Sequence, residues 1–422
     1  MRRIVVLTVS LLVSVAIAVT VTLLLRPSGG ASARPAKPLR GHAAASADAR
    51  ALARPLDRFG LALLSREAAA TSGNVVISPL SIHDVLSMIY NGAEGETAAE
   101  MRRVLGLGDV SKDVVNQGWA DLITGTQVGR KPAIQIANSL WLRDGVPFRA
   151  SFLNVNRDFF AADPRALPAD PGRAAAAING WVKQRTAGLI KQIVSPDYFT
   201  DRTILALVNT VHVKAAWTYF DSSQTHPGPF TLADGQKVQV PTMNAPVTAP
   251  VVSTRAYDAI GLQTKAPVTV WIVVPKGAQT PEQLVGLLQR RGLDALYRRA
   301  KQAAALLYLP RFKTEFSAPD LKPELEALGM RRAFSPDLAE LQGIVDPGTM
   351  GRVYIERVVH KAVLDVNEGG VEAAAATAGL VGLTSVPAAP MTIRADRPFL
   401  MLLTEKGTSA PLFMALIRDP RA

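Results

Sequence analysis

One segment is decisive for the fold of this chain: Asn367-Glu368-Gly369-Gly370-Val371-Glu372-Ala373-Ala374-Ala375-Ala376-Thr377-Ala378-Gly379. After its acidic start and paired glycines, no side chain beyond Glu372 is larger than threonine. By propensity alone residues 372–378 start a helix, because alanine is the best helix former. However, residues 362–366 alternate like a strand and lead into the segment without an ordinary turn. This favours a second interpretation, in which a segment of small side chains slides between two existing strands and the glycines act as its hinge.

Composition restricts the chemistry. The 422 residues are 48% hydrophobic, enough for a substantial core, and contain no cysteine. Disulfides, thiol catalysis and cysteine-ligated metal sites are therefore excluded. The five histidines form no HExxH pair, and there is no GxSxG elbow. Much of the net charge of +12 lies before residue 56, and the remaining positive charge is too mild to indicate nucleic acid.

The amino-terminal region predicts export. Residues 4–25 are uncharged and follow two arginines. As a helix they would measure about 33 Å, against about 30 Å for a bilayer core. A cleaved signal has a shorter apolar region, and the candidate cleavage site at residues 31–33 lies beyond the apolar run. Residues 1–25 are thus a signal anchor or a signal peptide. We predict a disordered basic stalk over 26–54 and an extracellular body, secreted or anchored to the outer face of the cytoplasmic membrane.

Periodicity predicts several elements of the body. We expect helices over residues 176–194 and 280–300, and strands over 203–217, 268–275 and 306–316. The Asp-Gly pair at 234–235 predicts a hairpin over residues 230–243.

Other segments carry a family resemblance in consistent order. They include Asn74-Val75-Val76-Ile77-Ser78-Pro79-Leu80-Ser81-Ile82, Ile134 to Leu142, Thr203 to Trp217, Leu328 to Phe334 and Pro411 to Pro420. Together with the segment at 367–379 they resemble the signature segments of serpins, the serine-protease-inhibitor fold, over about residues 55–420. The resemblance implies an α+β serpin domain over 55–422, with three β-sheets, eight or nine helices and an exposed reactive-centre loop. The abundance of Gly, Ala and Arg is typical of GC-rich bacterial genomes.

The resemblance also implies a mechanism. In serpins a serine protease attacks the loop and forms an ester with it, and the loop arm then inserts into the main sheet and traps the protease. Family spacing places the reactive bond at Thr384–Ser385, with Leu383–Thr384 as the alternative. No Lys or Arg lies between 362 and 393, so elastase-, chymotrypsin- or subtilisin-like targets are expected. The implied hinge consists of Glu368, Gly370, Val371, Glu372, Ala373, Ala374, Ala375, Ala376 and Thr377.

Two control sites follow from the same resemblance. Ser78, Ser81, Asn209 and His360 match the shutter, a hydrogen-bonded cluster that keeps the main sheet closed in the family. Trp217 and Arg311 match the breach, where insertion begins and where Arg311 pairs with Glu368. Without the resemblance, His360 is an ordinary half-buried histidine, and the ion pair is a surface salt bridge worth about 0–1 kcal/mol.

Three functions are compatible with these features. The small side chains of the loop arm and the absence of proline between residues 367 and 386 favour an inhibitor. This inhibitor is expected to be a monomer that binds its target protease covalently, without a catalytic residue, metal or cofactor. The alternative is a non-inhibitory serpin that acts as a carrier or folding helper and is cleaved without trapping. An exported hydrolase is disfavoured by the missing catalytic motifs.

Overall fold

A computed structural model describes residues 46–127, 132–346, 348, 351–371 and 391–422. Nine α-helices form within these residues: α1 (Ala47–Ala70), α2 (Pro79–Tyr90), α3 (Gly95–Val104), α4 (Lys112–Thr126), α5 (Ala150–Phe160), α6 (Pro171–Arg185), α7 (Pro281–Arg291), α8 (Leu293–Arg299) and α9 (Lys322–Leu328).

The same residues contribute sixteen strands. They are β1 (Val75–Ile77), β2 (Ile134–Arg143), β3 (Asp163–Leu167), β4 (Leu205–Val213), β5 (Ala215–Ala216), β6 (His226–Thr231), β7 (Lys237–Ser253), β8 (Tyr257–Gln263), β9 (Val268–Pro275), β10 (Lys301–Pro310), β11 (Phe312–Ala318), β12 (His360–Asn367), β13 (Gly370–Val371), β14 (Met391–Arg394), β15 (Phe399–Glu405) and β16 (Pro411–Ile417).

Hydrogen bonding groups these strands into three sheets. The largest has nine strands in the order β1-β16-β15-β9-β8-β7-β10-β14, with β6 paired to β7. A four-stranded sheet has the order β11-β12-β13-β5, and a three-stranded sheet has the order β3-β2-β4. The predicted α+β class, with three sheets and eight or nine helices, is confirmed for the described residues.

The core lies against the largest sheet. Every residue of β9 and β16 is buried, and α1 and α2 pack on β16. The strand predicted at 268–275 is confirmed to the residue, and the hairpin at 230–243 forms as β6 and β7 with Phe230 opposite Val238. A continuous apolar run is typical of a strand buried on both faces, and β9 could therefore be predicted from the sequence.

Helix α1 corrects the predicted stalk over 26–54. It begins at Ala47, and Leu52 is completely buried. Its start is set by Ser46, whose side chain accepts a hydrogen bond from the Ala49 N–H at 3.0 Å. Pro55 lies inside this helix, so residues 47–54 belong to the folded body and not to the predicted stalk.

Four predicted elements are shortened or divided in the structure. The strand expected over 203–217 is divided at Lys214 into β4 and β5, which belong to different sheets. The helix expected over 176–194 spans Pro171–Arg185 and ends before Ala187 and Gly188, whose φ angles are 51° and 86°. The helix expected over 280–300 is divided at Gly292, with φ of 76°. The strand expected over 306–316 is divided at Arg311 into β10 and β11, which belong to different sheets.

Among the helices of the described stretches, none is long and apolar enough to cross a membrane. The predicted anchor or signal at 4–25 lies outside the described residues.

Candidate functional site

A gap separates the three-stranded sheet from the four-stranded sheet. Strand β4 is an edge of the first, and β12 pairs along its far side with β11. Within the described residues, β4 and β12 share no ladder hydrogen bonds. A cavity of about 510 Å³ lies between them, lined by residues 203–212 on one side and 352–363 on the other. Two strand edges therefore face each other without pairing directly.

The hinge closes the upper end of this gap. Strand β13 pairs with both neighbours, so that Gly370 lies opposite Asn367 and Ala216, and Val371 lies opposite Val366 and Ala215. The φ angle of Gly370 is 133°, a conformation that residues with a Cβ rarely adopt. A Cβ there would also overlap the Ala215 carbonyl oxygen and lie 2.7 Å from the Ala216 Cα. Glycine is thus required at this position for the hinge to enter the sheet.

Trp217 fixes the turn that leads into β13. Its indole Nε1–H donates to the carbonyl oxygens of Asn367 and Glu368, both at 3.0 Å. Its backbone N–H donates to the Gly369 carbonyl at 3.1 Å. The side chain is 1% exposed, so these donors lie out of water. The predicted breach tryptophan therefore contacts the hinge directly.

The predicted ion pair at the breach is also placed by the structure. The Arg311 Nη1 lies 3.8 Å from the Glu368 Oε1, and the Thr225 hydroxyl donates to the same oxygen at 2.7 Å. The Arg311 side chain is 55% exposed, so solvent screens the pair. We therefore infer that the hydrogen bond from the Thr225 hydroxyl holds the Glu368 side chain in place more than the ion pair with Arg311 does.

Three of the four predicted shutter residues meet at the start of α2. The Ser78 N–H donates to the His360 Nε2 at 3.2 Å. The Ser78 hydroxyl donates to the Leu412 carbonyl at 2.7 Å and accepts from the Ser81 N–H at 3.2 Å, which caps the helix. Burial lowers the pKa of His360 to about 4. The imidazole is therefore neutral at pH 7 and carries its proton on Nδ1, since Nε2 accepts.

The fourth residue, Asn209, belongs to a different cluster. Its Nδ2 donates to the Asp84 Oδ2 and to the Asn138 Oδ1, both at 2.8 Å. The Asn138 Nδ2 donates to the same Asp84 oxygen at 3.0 Å and to the Phe160 carbonyl at 2.9 Å. All these bonds are buried. The role of the shutter residues in holding the sheet closed stays a prediction.

Sequence reasoning missed Asp84 and Asn138. Burial raises the pKa of the Asp84 carboxyl to about 8, although the amides of Asn138 and Asn209 act in the opposite direction. The available signal was an acidic residue, between His83 and Val85, inside a segment whose other residues are mostly apolar. A fully buried carboxyl group needs partners, and its partners lie on β2 and β4.

The remaining predicted site residues lie outside the described residues. They are the hinge residues 372–377 and the bait residues Leu383, Thr384 and Ser385. Their assignments stay predictions.

Comparison with known proteins decides the family. A family model described as Serpin (serine protease inhibitor) matches residues 55–420. The chain is a serpin. Glia-derived nexin of Mus musculus is 30% identical over 366 residues, which cover 82% of this chain and 88% of that protein.

Solved structures agree with this assignment. Cleaved Serpin 42Da matches this serpin with a TM-score of 0.79 and 27% identity, covering 88% of this chain and 99% of the other. Human thyroxine-binding globulin in complex with its hormone matches with a TM-score of 0.78 and 25% identity, covering 89% and 100%. The fold thus occurs both in a family described as serine protease inhibitors and in a thyroxine-binding globulin.

Proposed function

We propose that this serpin is a suicide-substrate inhibitor of serine proteases that takes its cut reactive loop into the gap between β4 and β12. One observation carries the proposal: the gap is bordered by two facing strand edges, and the hinge enters its upper end as β13. The chain continues from Val371 directly into the small-residue arm.

The energy available for trapping follows from the gap. A strand inserted between β4 and β12 would form ladder hydrogen bonds with both edges. A dozen such bonds at about 1 kcal/mol net each amount to the order of 10 kcal/mol. That is comparable to the stability of a whole domain, and it is enough to distort a protease carried along with the loop.

The arm suits this insertion. Val371 is buried in β13, and side chains of a strand alternate between faces. Ala373, Ala375 and Thr377 would therefore follow Val371 into the interior. All three are small and uncharged, so each can enter without a clash or an unpaired charge.

The chemistry is that of an interrupted hydrolysis. The protease serine attacks the carbonyl of the bait residue, Thr384 by family spacing, and the bond to the Ser385 nitrogen breaks. The new amine end leaves with its proton supplied by the protease, and an ester joins the two proteins. Insertion of the arm then precedes attack of water on the ester. We propose elastase-, chymotrypsin- or subtilisin-like targets, because the loop offers no basic bait.

The cellular setting belongs to the proposal as well. Residues 4–25 would export the body, as an anchor or as a cleaved signal, and the inhibitor would act outside the cell as a monomer.

The test uses the purified full-length protein with pancreatic elastase, chymotrypsin, subtilisin and trypsin. We expect a band at the summed mass that survives boiling in detergent, and a released peptide beginning at Ser385. A peptide beginning at Thr384 would move the bait to Leu383. As a control, Ala375→Arg places a charge in the arm, and this variant should be cleaved without trapping.

Complete cleavage of the wild-type loop by every protease, with active protease left over, would contradict the inhibitory proposal. That result would favour the non-inhibitory alternative, a carrier or folding helper.

A further inference from the structure

Helix α2 is bonded to both borders of the gap. At its amino end, the Ser78 N–H donates to His360 on β12. Six residues further along, Asp84 accepts from Asn209 on β4 and from Asn138 on β2. The attachment points thus pass from β12 to β4 and β2 along the helix, so the helix crosses the strands beneath the gap.

The separation of these attachment points matches one particular sheet width. Six residues of α-helix advance about 9 Å. Two strands that border a single additional strand lie about 9.6 Å apart, whereas directly paired strands lie about 4.8 Å apart. Both bonds can therefore exist together when β4 and β12 are one strand apart. Direct pairing of β4 with β12 would bring the two strands about 4.8 Å closer together, and we expect that approach to strain the two bonds.

We propose that Asp84 is a positioning residue for loop insertion, holding β4 on α2 at one strand's width from His360 and so favouring the opened sheet, which is the opposite of the closed-sheet role that the family resemblance implies for Asn209. Asp84 acts through Asn209 and Asn138 and touches neither the protease nor the bait. Its effect on trapping rests on the proposed inhibitory function, whereas its effect on the opened sheet does not.

The cluster also indicates which substitutions at position 84 remove the hydrogen bonds while keeping the side-chain volume. Two buried acceptors, the Asp84 Oδ1 and the Asn209 Oδ1, have no hydrogen-bond partner among the described residues. An asparagine at position 84 keeps an acceptor for the amides and adds an N–H₂ group for an unmet oxygen. A leucine at position 84 keeps the approximate volume and removes every polar contact.

The first test measures the moles of serpin consumed per mole of protease inhibited. We expect Asp84→Leu to raise this ratio at least about fivefold, which corresponds to about 1 kcal/mol, the value of one hydrogen bond. Asp84→Asn should stay within about twofold of wild type. The matched control is Asp57→Leu, which changes another buried aspartate, on α1 and away from the gap lining, and should leave the ratio unchanged.

The second test needs no trapping. Wild type and variants are cut in the loop by a protease that leaves the body intact, and the melting temperatures of intact and cut proteins are compared. The gain on cutting should be smaller for Asp84→Leu than for wild type, Asp84→Asn and Asp57→Leu. If Asp84→Leu does not fold, Asp84→Ala removes the same bonds without adding bulk.

The outcomes separate the two proposals. If wild type traps no protease, the inhibitory function fails, and the melting comparison still decides the role of Asp84. If the bond-removing variant shows the wild-type consumption ratio and the wild-type gain on cutting, the positioning role is overturned. A raised consumption ratio together with a smaller gain in melting temperature on cutting in Asp84→Asn would also overturn it, because that variant retains the polar contacts.

Discussion

Replacing Gly370 by alanine tests whether the hinge must enter the sheet for trapping. Gly370 lies in β13 between Asn367 of β12 and Ala216 of β5, with φ of 133°. A Cβ at this position would overlap the Ala215 carbonyl oxygen, which is backbone and cannot rotate away as a flexible side chain does. The inserted hinge must therefore shift or leave the sheet, whereas an extruded hinge can relax to another φ.

The cost can be estimated from these two effects. A residue with a Cβ in the positive-φ region costs about 1–2 kcal/mol, and overpacking of this kind costs about 1–3 kcal/mol more. The inserted hinge is thus destabilised by at least about 2 kcal/mol relative to the extruded one. At about 1.4 kcal/mol per factor of ten, the partition between trapping and release shifts about 30-fold towards release.

The assay titrates the protease that wild type inhibits best and measures serpin consumed per protease inhibited. Gly370→Ala should be cut at a rate near that of wild type but consumed about 30-fold more. The matched control is Gly180→Ala on α6, where an added Cβ meets nothing within 4 Å. That change should leave the ratio unchanged and stabilise the fold by up to about 1 kcal/mol. A Gly370→Ala protein that titrates like wild type would refute the requirement for the inserted hinge.

Three further predictions concern the breach and the shutter. Trp217→Phe should lower the free energy of unfolding by about 1–3 kcal/mol more than Trp119→Phe in urea titrations, because both indoles are buried but only Trp217 has hydrogen-bond acceptors among the described residues. Equal losses would contradict this. The lowered pKa of His360 means that the unfolded chain binds a proton near pH 6.5 and the folded protein only near pH 4, so its contribution to stability falls by up to about 3 kcal/mol as pH drops through that window. His360→Gln should lose correspondingly less stability than wild type between pH 7 and 4.5, and parallel pH profiles would disprove the assignment. Arg311→Ala should cost less than about 1 kcal/mol in urea titrations, because its contact with Glu368 is long and exposed, and a larger loss would show that the ion pair anchors the hinge.

Local signals made much of the fold predictable. The Asp-Gly turn fixes the β6–β7 hairpin, and the continuous apolar run of β9 fixes a fully buried strand. The segments that resemble serpins predicted the three-sheet fold and pointed to Trp217 as a residue of the breach, where it contacts the hinge. These features depend on short stretches of chain, so a single sequence displays them.

The misses have a different physical origin. Asp84 lies 54 residues from Asn138 and 125 residues from Asn209 in the sequence. No local sequence pattern can therefore indicate the hydrogen bonds between them. The helix expected over 280–300 was apolar at the right spacing on both sides of Gly292, and only the positive φ of that residue divides it. Helix α1 includes residues that were predicted to belong to the stalk, because the Ser46 side chain caps the helix within a stretch whose composition resembles a linker.

Strand β13 would also set the register of the arm in the proposed insertion. Val371 is buried and lies opposite Val366 and Ala215. An arm that continues in this register would place Ala373 on the buried face and Glu372 on the other. A slip of one residue would reverse every side chain and bury the Glu372 carboxylate without a partner, at a cost of several kcal/mol. In the proposed insertion, the close approach that only Gly370 permits would therefore select the register in which the Glu372 carboxylate stays out of the interior.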